Sequence, residues 1–126
     1  MQPRDAVEKW LSNIKGAVCY PDKFEVVFPS KCETCPEALS VLRKTISEEF
    51  GGTSEFDGQG CWVDKKGKEI CEPVKHIFSS HHCADKKVAE KLGNALITAT
   101  EKAKQEALFV GAGNKFFVIP KESLTR

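Results

Sequence analysis

Apolar and polar positions alternate along this chain with two distinct periods, and the switches between them mark its elements. Val7, Trp10, Leu11, Ile14 and Val18 recur at spacings of three and four, one face of a helix from about Arg4 to Val18. Tyr20-Pro21-Asp22 breaks that pattern, leaving residues 1–20 as an N-terminal helical segment. Phe24, Val26 and Phe28 then alternate with Glu25 and Val27, which predicts a strand from about Lys23 to Pro29.

Thr34-Cys35-Pro36-Glu37 has the form of a capping box with proline in the first turn. Leu39, Leu42, Ile46 and Phe50 follow on one helical face, and Gly51-Gly52 stops the helix. Thr53 to Val63 reads as an interrupted strand, Lys65-Lys66-Gly67 as a three-residue hairpin loop, and Lys68 to Ser79 as the returning strand. Pro73 inside that strand predicts a bulge or an unpaired edge. Asp85 is placed to cap a long helix carrying Val88, Leu92, Ala95, Leu96, Ala99 and Ala103 on one face. Ala107–Gly111 and Phe116–Ile119 complete the chain as two strands.

This order defines one α+β domain over residues 1–126, with a ferredoxin-like βαββαβ core at 23–119. Two helices are expected on one face of an antiparallel sheet, with the N-terminal helix and a C-terminal strand added. The first and third strands are expected side by side and parallel at its centre.

Composition narrows the function classes. The chain is 40% hydrophobic and 29% charged, values of an ordinary globular protein. A net charge of +1 with no basic block argues against a nucleic-acid surface. No apolar run approaches the length of a membrane span, and Met1–Ala17 has no signal-peptide core, so a cytoplasmic protein with no membrane partner is expected.

The six cysteines are the candidate chemistry. If the first and third strands are parallel neighbours, Cys32 and Cys35 meet His81, His82 and Cys83 at one sheet end. Thiolates and imidazoles suit zinc, so these five are candidate metal ligands. A disulfide from Cys83 to Cys32 or Cys35, or unpaired thiols, fits the same residues. Cys61 and Cys71, counted outward from the hairpin loop, fall opposite each other and can form a cross-strand disulfide; two small apolar residues on one sheet face is the plainer alternative. Cys35 near a helix start, with His81 or His82 as base, would be a thiol nucleophile. No other catalytic set can be argued from spacing. Helix N-termini at Thr34 and Asp85, expected at the same end, favour a small anionic ligand. His76 reads as a satisfied sheet histidine, and Trp10 and Trp62 as core or interface anchors.

Gly51-Gly52-Thr53, Gly58-Gln59-Gly60-Cys61-Trp62, Glu72-Pro73-Val74 and Gln105-Glu106-Ala107-Leu108-Phe109-Val110 form a pattern that resembles small microbial proteins of ferredoxin-like order, over residues 24–119. Its fold order is similar to that of PII-type and CutA-type proteins. That resemblance implies an oligomeric ligand-binding or regulatory role. The expectation is therefore a non-enzymatic binding domain that self-associates, with a thiol enzyme using Cys35, or purely structural cysteines, as alternatives.

Overall fold

The computed structural model of the chain describes residues 3–17, 22–81, 86–105 and 107–124. In chain order these form α1 (Pro3–Ser12), β1 (Asp22–Pro29), α2 (Cys35–Phe50), β2 (Ser54–Val63), β3 (Glu69–His81), α3 (Lys86–Ala103), β4 (Ala107–Ala112) and β5 (Lys115–Pro120). A short 3-10 turn over Lys121–Ser123 follows. The strands make one sheet in the order β2-β3-β1-β4-β5, every neighbouring pair antiparallel. This is the ferredoxin-like α+β architecture with one strand added at an edge.

The core forms where the two periods meet. Phe24, Val26 and Phe28 from β1, Ile77 from β3, and Leu108 and Val110 from β4 point to one face. Against them lie Cys35, Ala38, Leu39, Leu42 and Ile46 of α2, and Leu92, Ala95, Leu96, Ala99 and Ala103 of α3. Each large side chain removed from water here contributes about 1.5–3 kcal/mol. The helices run antiparallel, tied at one end by Lys102 Nζ to Glu37 Oε1 (2.9 Å) and at the other by Lys91 Nζ to Glu49 Oε1 (3.1 Å).

Three local expectations change. Thr34 makes no side-chain cap, and its hydroxyl lies 3.7 Å from Cys32 Sγ instead. Glu37 is taken by Lys102, a partner sixty-five positions away that no local pattern reveals. Pro73 neither bulges nor breaks β3. Its carbonyl accepts from Ser30 N (3.1 Å), so the one reciprocal bond its missing N–H would make falls on that same side, just past the end of β1, where the ladder stops. The N-terminal helix is shorter than its periodicity suggested, and Val7, Trp10, Leu11 and Ile14 are all exposed rather than packed on the sheet.

The larger correction concerns direction. A crossover through α2 sets β2 parallel to β1, and the tight hairpin then reverses the chain, so β3 runs against β1. Parallel first and third strands were the wrong consequence of the right element order. Pro29 pairs with Val74, and Asp22 with His81. Val74 and His81 stand seven positions apart on β3, roughly 24 Å.

Candidate site on the open sheet face

Antiparallel register builds the site from four strands. Even-numbered Phe24, Val26 and Phe28 face the helices, so Lys23, Glu25 and Val27 face the other way. Pairing carries that face across the sheet in two rows. One row is Ser54, Phe78, Glu25, Gly111 and Phe116; the next is Phe56, His76, Val27, Phe109 and Val118. No element covers this face among the described residues, and Phe56, Phe109, Phe116 and Val118 are exposed on it. An antiparallel sheet with one solvated face usually carries polar residues there. This one carries aromatic rings around one carboxylate.

Glu25 is held from two sides. His76 Nδ1 lies 3.0 Å from Glu25 Oε1, and Lys23 Nζ lies 3.5 Å from Glu25 Oε2. Burial pushes the Glu25 carboxyl up, but the hydrogen bond to His76, the charge of Lys23 and the hydrogen bond to Lys23 outweigh it. The net displacement is downward, so Glu25 is ionised at neutral pH. The imidazole is fixed in turn: Phe56 stacks on it with centroids 4.5 Å apart and planes 7° from parallel. Phe56 meets Phe78 edge-on at 5.8 Å, and Lys23 Nζ stands 4.9 Å above the Phe78 ring.

Glycines keep the face open. A Cβ on Gly58 would come within 3.0 Å of His76 Nε2, and one on Gly111 within 3.2 Å of the Phe116 ring. Over Gly111 lies an open cleft of about 230 Å³, lined by Lys23, Glu25, Gly111, Gly113, Asn114, Lys115 and Phe116. The cleft thus offers one anion, two cations and an aromatic wall. Such a surface suits a ligand with a planar ring, an ammonium or sulfonium group and a carboxylate.

Of the five residues expected to share a metal or thiol site, the described ones do not come together: Cys32 and Cys35 lie at a different sheet end from His81. Cys32 and Cys35 are bonded to each other at the end of β1, while the His81 backbone stands opposite Asp22 at the start of β1. His82 and Cys83 lie outside the described residues, as does Cys19. Because β1 and β3 run in opposite directions, the expected zinc set of Cys32, Cys35, His81, His82 and Cys83 loses the juxtaposition of Cys32 and Cys35 with His81 on which it was argued. Cys35 is also wholly buried, so it is not placed as a nucleophile. The same reversal separates the N-termini of α2 and α3, which follow opposite sheet ends, and removes the shared anion site expected between them. Cys61 and Cys71 are register partners with Cα atoms 4.1 Å apart and sulfurs at disulfide distance. They sit near the same sheet end as Cys32 and Cys35.

His76 is satisfied, as its alternation with Val74 and Phe78 suggested, but its partner Glu25 was missed. The one sequence signal was a carboxylate inside an apolar strand; its meaning appears only when β3, β2 and β4 bring their rings alongside.

No family model and no curated protein matches this chain. Among solved structures, the fold is that of a phage SAM lyase in complex with S-methyl-5'-thioadenosine. That match has a TM-score of 0.59 at 16% identity, over 86% of this chain and 96% of that one. A phage SAM lyase in the apo state matches with a TM-score of 0.58 at 12% identity, over 79% of this chain and 88% of that one. A Bacillus cereus protein related to NIF3 aligns at a TM-score of 0.42 and 16% identity, over 79% of this chain and 25% of its own, too loosely to argue from. These matches lend no support to the PII-type and CutA-type likeness. They also correct the expectation of a non-enzymatic binding or regulatory domain, because the architecture that suggested it is shared with an enzyme. Among the described residues no helix is long and apolar enough to cross a membrane.

Proposed function

We propose that this chain is an enzyme acting on S-adenosylmethionine, or on a sulfonium nucleoside of that class, at the open sheet face. The observation that carries the reading is the Glu25 carboxylate, kept ionised by His76 and Lys23 among Phe56, Phe78 and Phe116. The shared fold of a SAM lyase supports it.

The chemistry assigns the groups. Releasing S-methyl-5'-thioadenosine breaks the bond between the sulfonium and the aminobutyrate chain. The electron pair goes to sulfur, and the cation becomes a neutral thioether. Without added water, the carbon fragment closes on its own carboxylate or loses a proton. Because the sulfonium loses its charge on the way, an anion beside it would stabilise the ground state more than the transition state. Glu25 is therefore better matched to the substrate ammonium, whose charge persists. Lys23 and Lys115 answer the carboxylate, and the rings of the face take the adenine and the sulfonium.

A cleft of about 230 Å³ is smaller than a nucleoside needs for full enclosure. The expected self-association belongs to this reading, with a second copy supplying the missing wall. So does a cytoplasmic location, where this substrate class is made and used. The test is incubation of the purified chain with S-adenosylmethionine, followed by chromatography for S-methyl-5'-thioadenosine. The thioether should accumulate with the wild type and, at substrate concentrations below saturation, roughly 10²-fold more slowly with Glu25→Gln. Unchanged substrate in both, with no binding of either compound, overturns the reading.

A further inference from the structure

The pleat places three metal-binding side chains together at the far end of the β2–β3 hairpin. Glu69 and Cys71 are two apart on β3 and share a face; Cys61 is the register partner of Cys71 and shares it too. The two sulfurs and the nearest Glu69 oxygen all lie within 4.8 Å of one another. All three residues are exposed. The hairpin that holds them is fixed by its own turn: Asp64 Oδ1 accepts from Lys66 N and Lys68 N at 2.9 Å each, and Gly67 takes φ 79°.

One distance is already that of a coordination polyhedron. Zn–S of about 2.3 Å and Zn–O of about 2.1 Å in a tetrahedron set the S···O edge at about 3.6 Å. Cys71 Sγ lies 3.6 Å from Glu69 Oε1. The two sulfurs would have to part from bonded contact to an edge of about 3.8 Å, with the Glu69 oxygen already within 4.8 Å of both.

We propose that Cys61, Cys71 and Glu69 form a redox-gated zinc site, closed as a disulfide and opened by a small thiol reductant. The thiolate of a molecule such as glutathione attacks one exposed sulfur and breaks the S–S bond, leaving a mixed disulfide and one cysteine thiolate. A second reductant thiol releases the other cysteine and leaves as oxidised glutathione, so two electrons have entered the pair. The two thiols then lose two protons as they bind Zn²⁺, Glu69 supplies the third ligand, and water fills the fourth position. Exposure decides which pair responds. Cys61 and Cys71 are both exposed, whereas Cys35 is wholly buried and Cys32 half-buried, so a small thiol meets the hairpin pair first.

The test is titration of the reduced, metal-free chain with Co²⁺, reading the thiolate-to-cobalt charge-transfer absorption, with Zn²⁺ added to displace it. One equivalent of Co²⁺ should bind per chain, and the band should vanish on oxidation with oxidised glutathione. Cys61→Ser/Cys71→Ser, checked for native circular dichroism, should lose the band entirely. Glu69→Gln should weaken binding while keeping thiolate absorption. A band of full intensity in the double variant, or none in the reduced wild type, overturns the proposal. Unchanged affinity in Glu69→Gln removes the carboxylate from the site.

Discussion

Glu25 and His76 meet across adjacent antiparallel strands, with carboxylate oxygen and imidazole Nδ1 3.0 Å apart on a sheet face otherwise walled by rings. Neither residue is opposite the other in the register: Glu25 pairs with Phe78 and His76 with Val27, so the contact is diagonal. The side chains therefore lean toward each other, and Phe56 stacked on the imidazole fixes that lean.

Replacing Glu25 by Gln preserves shape and removes charge. If the carboxylate binds the substrate ammonium through the reaction, kcat/KM for S-adenosylmethionine should fall roughly 10²-fold, mainly through a raised KM. Thermal stability at neutral pH should fall only modestly, since an amide oxygen still accepts from His76 while the attraction of the ionised carboxylate to His76 and Lys23 is lost. Steady-state kinetics beside a melting curve makes the comparison.

The same carboxyl makes stability depend on pH in a stated direction. Burial pushes it up, while His76 and Lys23 bring it below the ordinary 4.5. A carboxyl whose folded value lies under its unfolded one stabilises the fold above the unfolded value. It loses that contribution as pH falls through the folded value. Melting temperature should therefore drop more steeply for wild type than for Glu25→Gln on acidification below about pH 5. Parallel curves for the two proteins would show that Glu25 carries no such coupling.

Gly58→Ala should injure the site more than the fold. Its Cβ would stand 3.0 Å from His76 Nε2, and the imidazole can escape only by giving up Glu25 or Phe56. A stability loss of about 1 kcal/mol is expected, with a disproportionate loss of turnover. Gly60→Ala is the control. Its Cβ would meet Val74 Cγ1 at 3.1 Å, an apolar neighbour outside the Glu25 contact, so stability alone should suffer.

Cys32→Ser and Cys35→Ser both remove the same cross-link, so their difference isolates burial. Cys35 is 0% exposed within the core, and Cys32 only packs against its edge. Serine at 35 buries a hydroxyl and should cost about 1–3 kcal/mol more than serine at 32. Urea melts of the two variants measure the gap; equal midpoints would place residue 35 outside the core.

Element order was legible in this chain because each element satisfies its own local rule. The period-two run at Phe24, Val26 and Phe28, and the helical stripe at Leu39, Leu42 and Ile46, needed no partner to be recognised. Register at the hairpin was legible for the same reason: Asp64 and Gly67 fix the turn, and Cys61 then falls opposite Cys71 by counting. Strand direction was not local. Placing Cys32 beside His81 required an error of one reversal, which joined residues of opposite sheet ends into one site. Glu25 was invisible because an isolated strand reading Phe-Glu-Val-Val-Phe has an ordinary solvent face. That this face is aromatic depends on Phe56, Phe78, Phe109 and Phe116, scattered over sixty positions and gathered only by the sheet.

The most direct measurement is a backbone NMR titration of the isotopically labelled chain with S-methyl-5'-thioadenosine. Amide shifts should concentrate at Lys23, Glu25, His76, Gly111 and Phe116, and Glu25→Gln should weaken them. Absence of shifts at saturating ligand, or shifts confined to the helical face over α2 and α3, would contradict a nucleoside site on the open sheet.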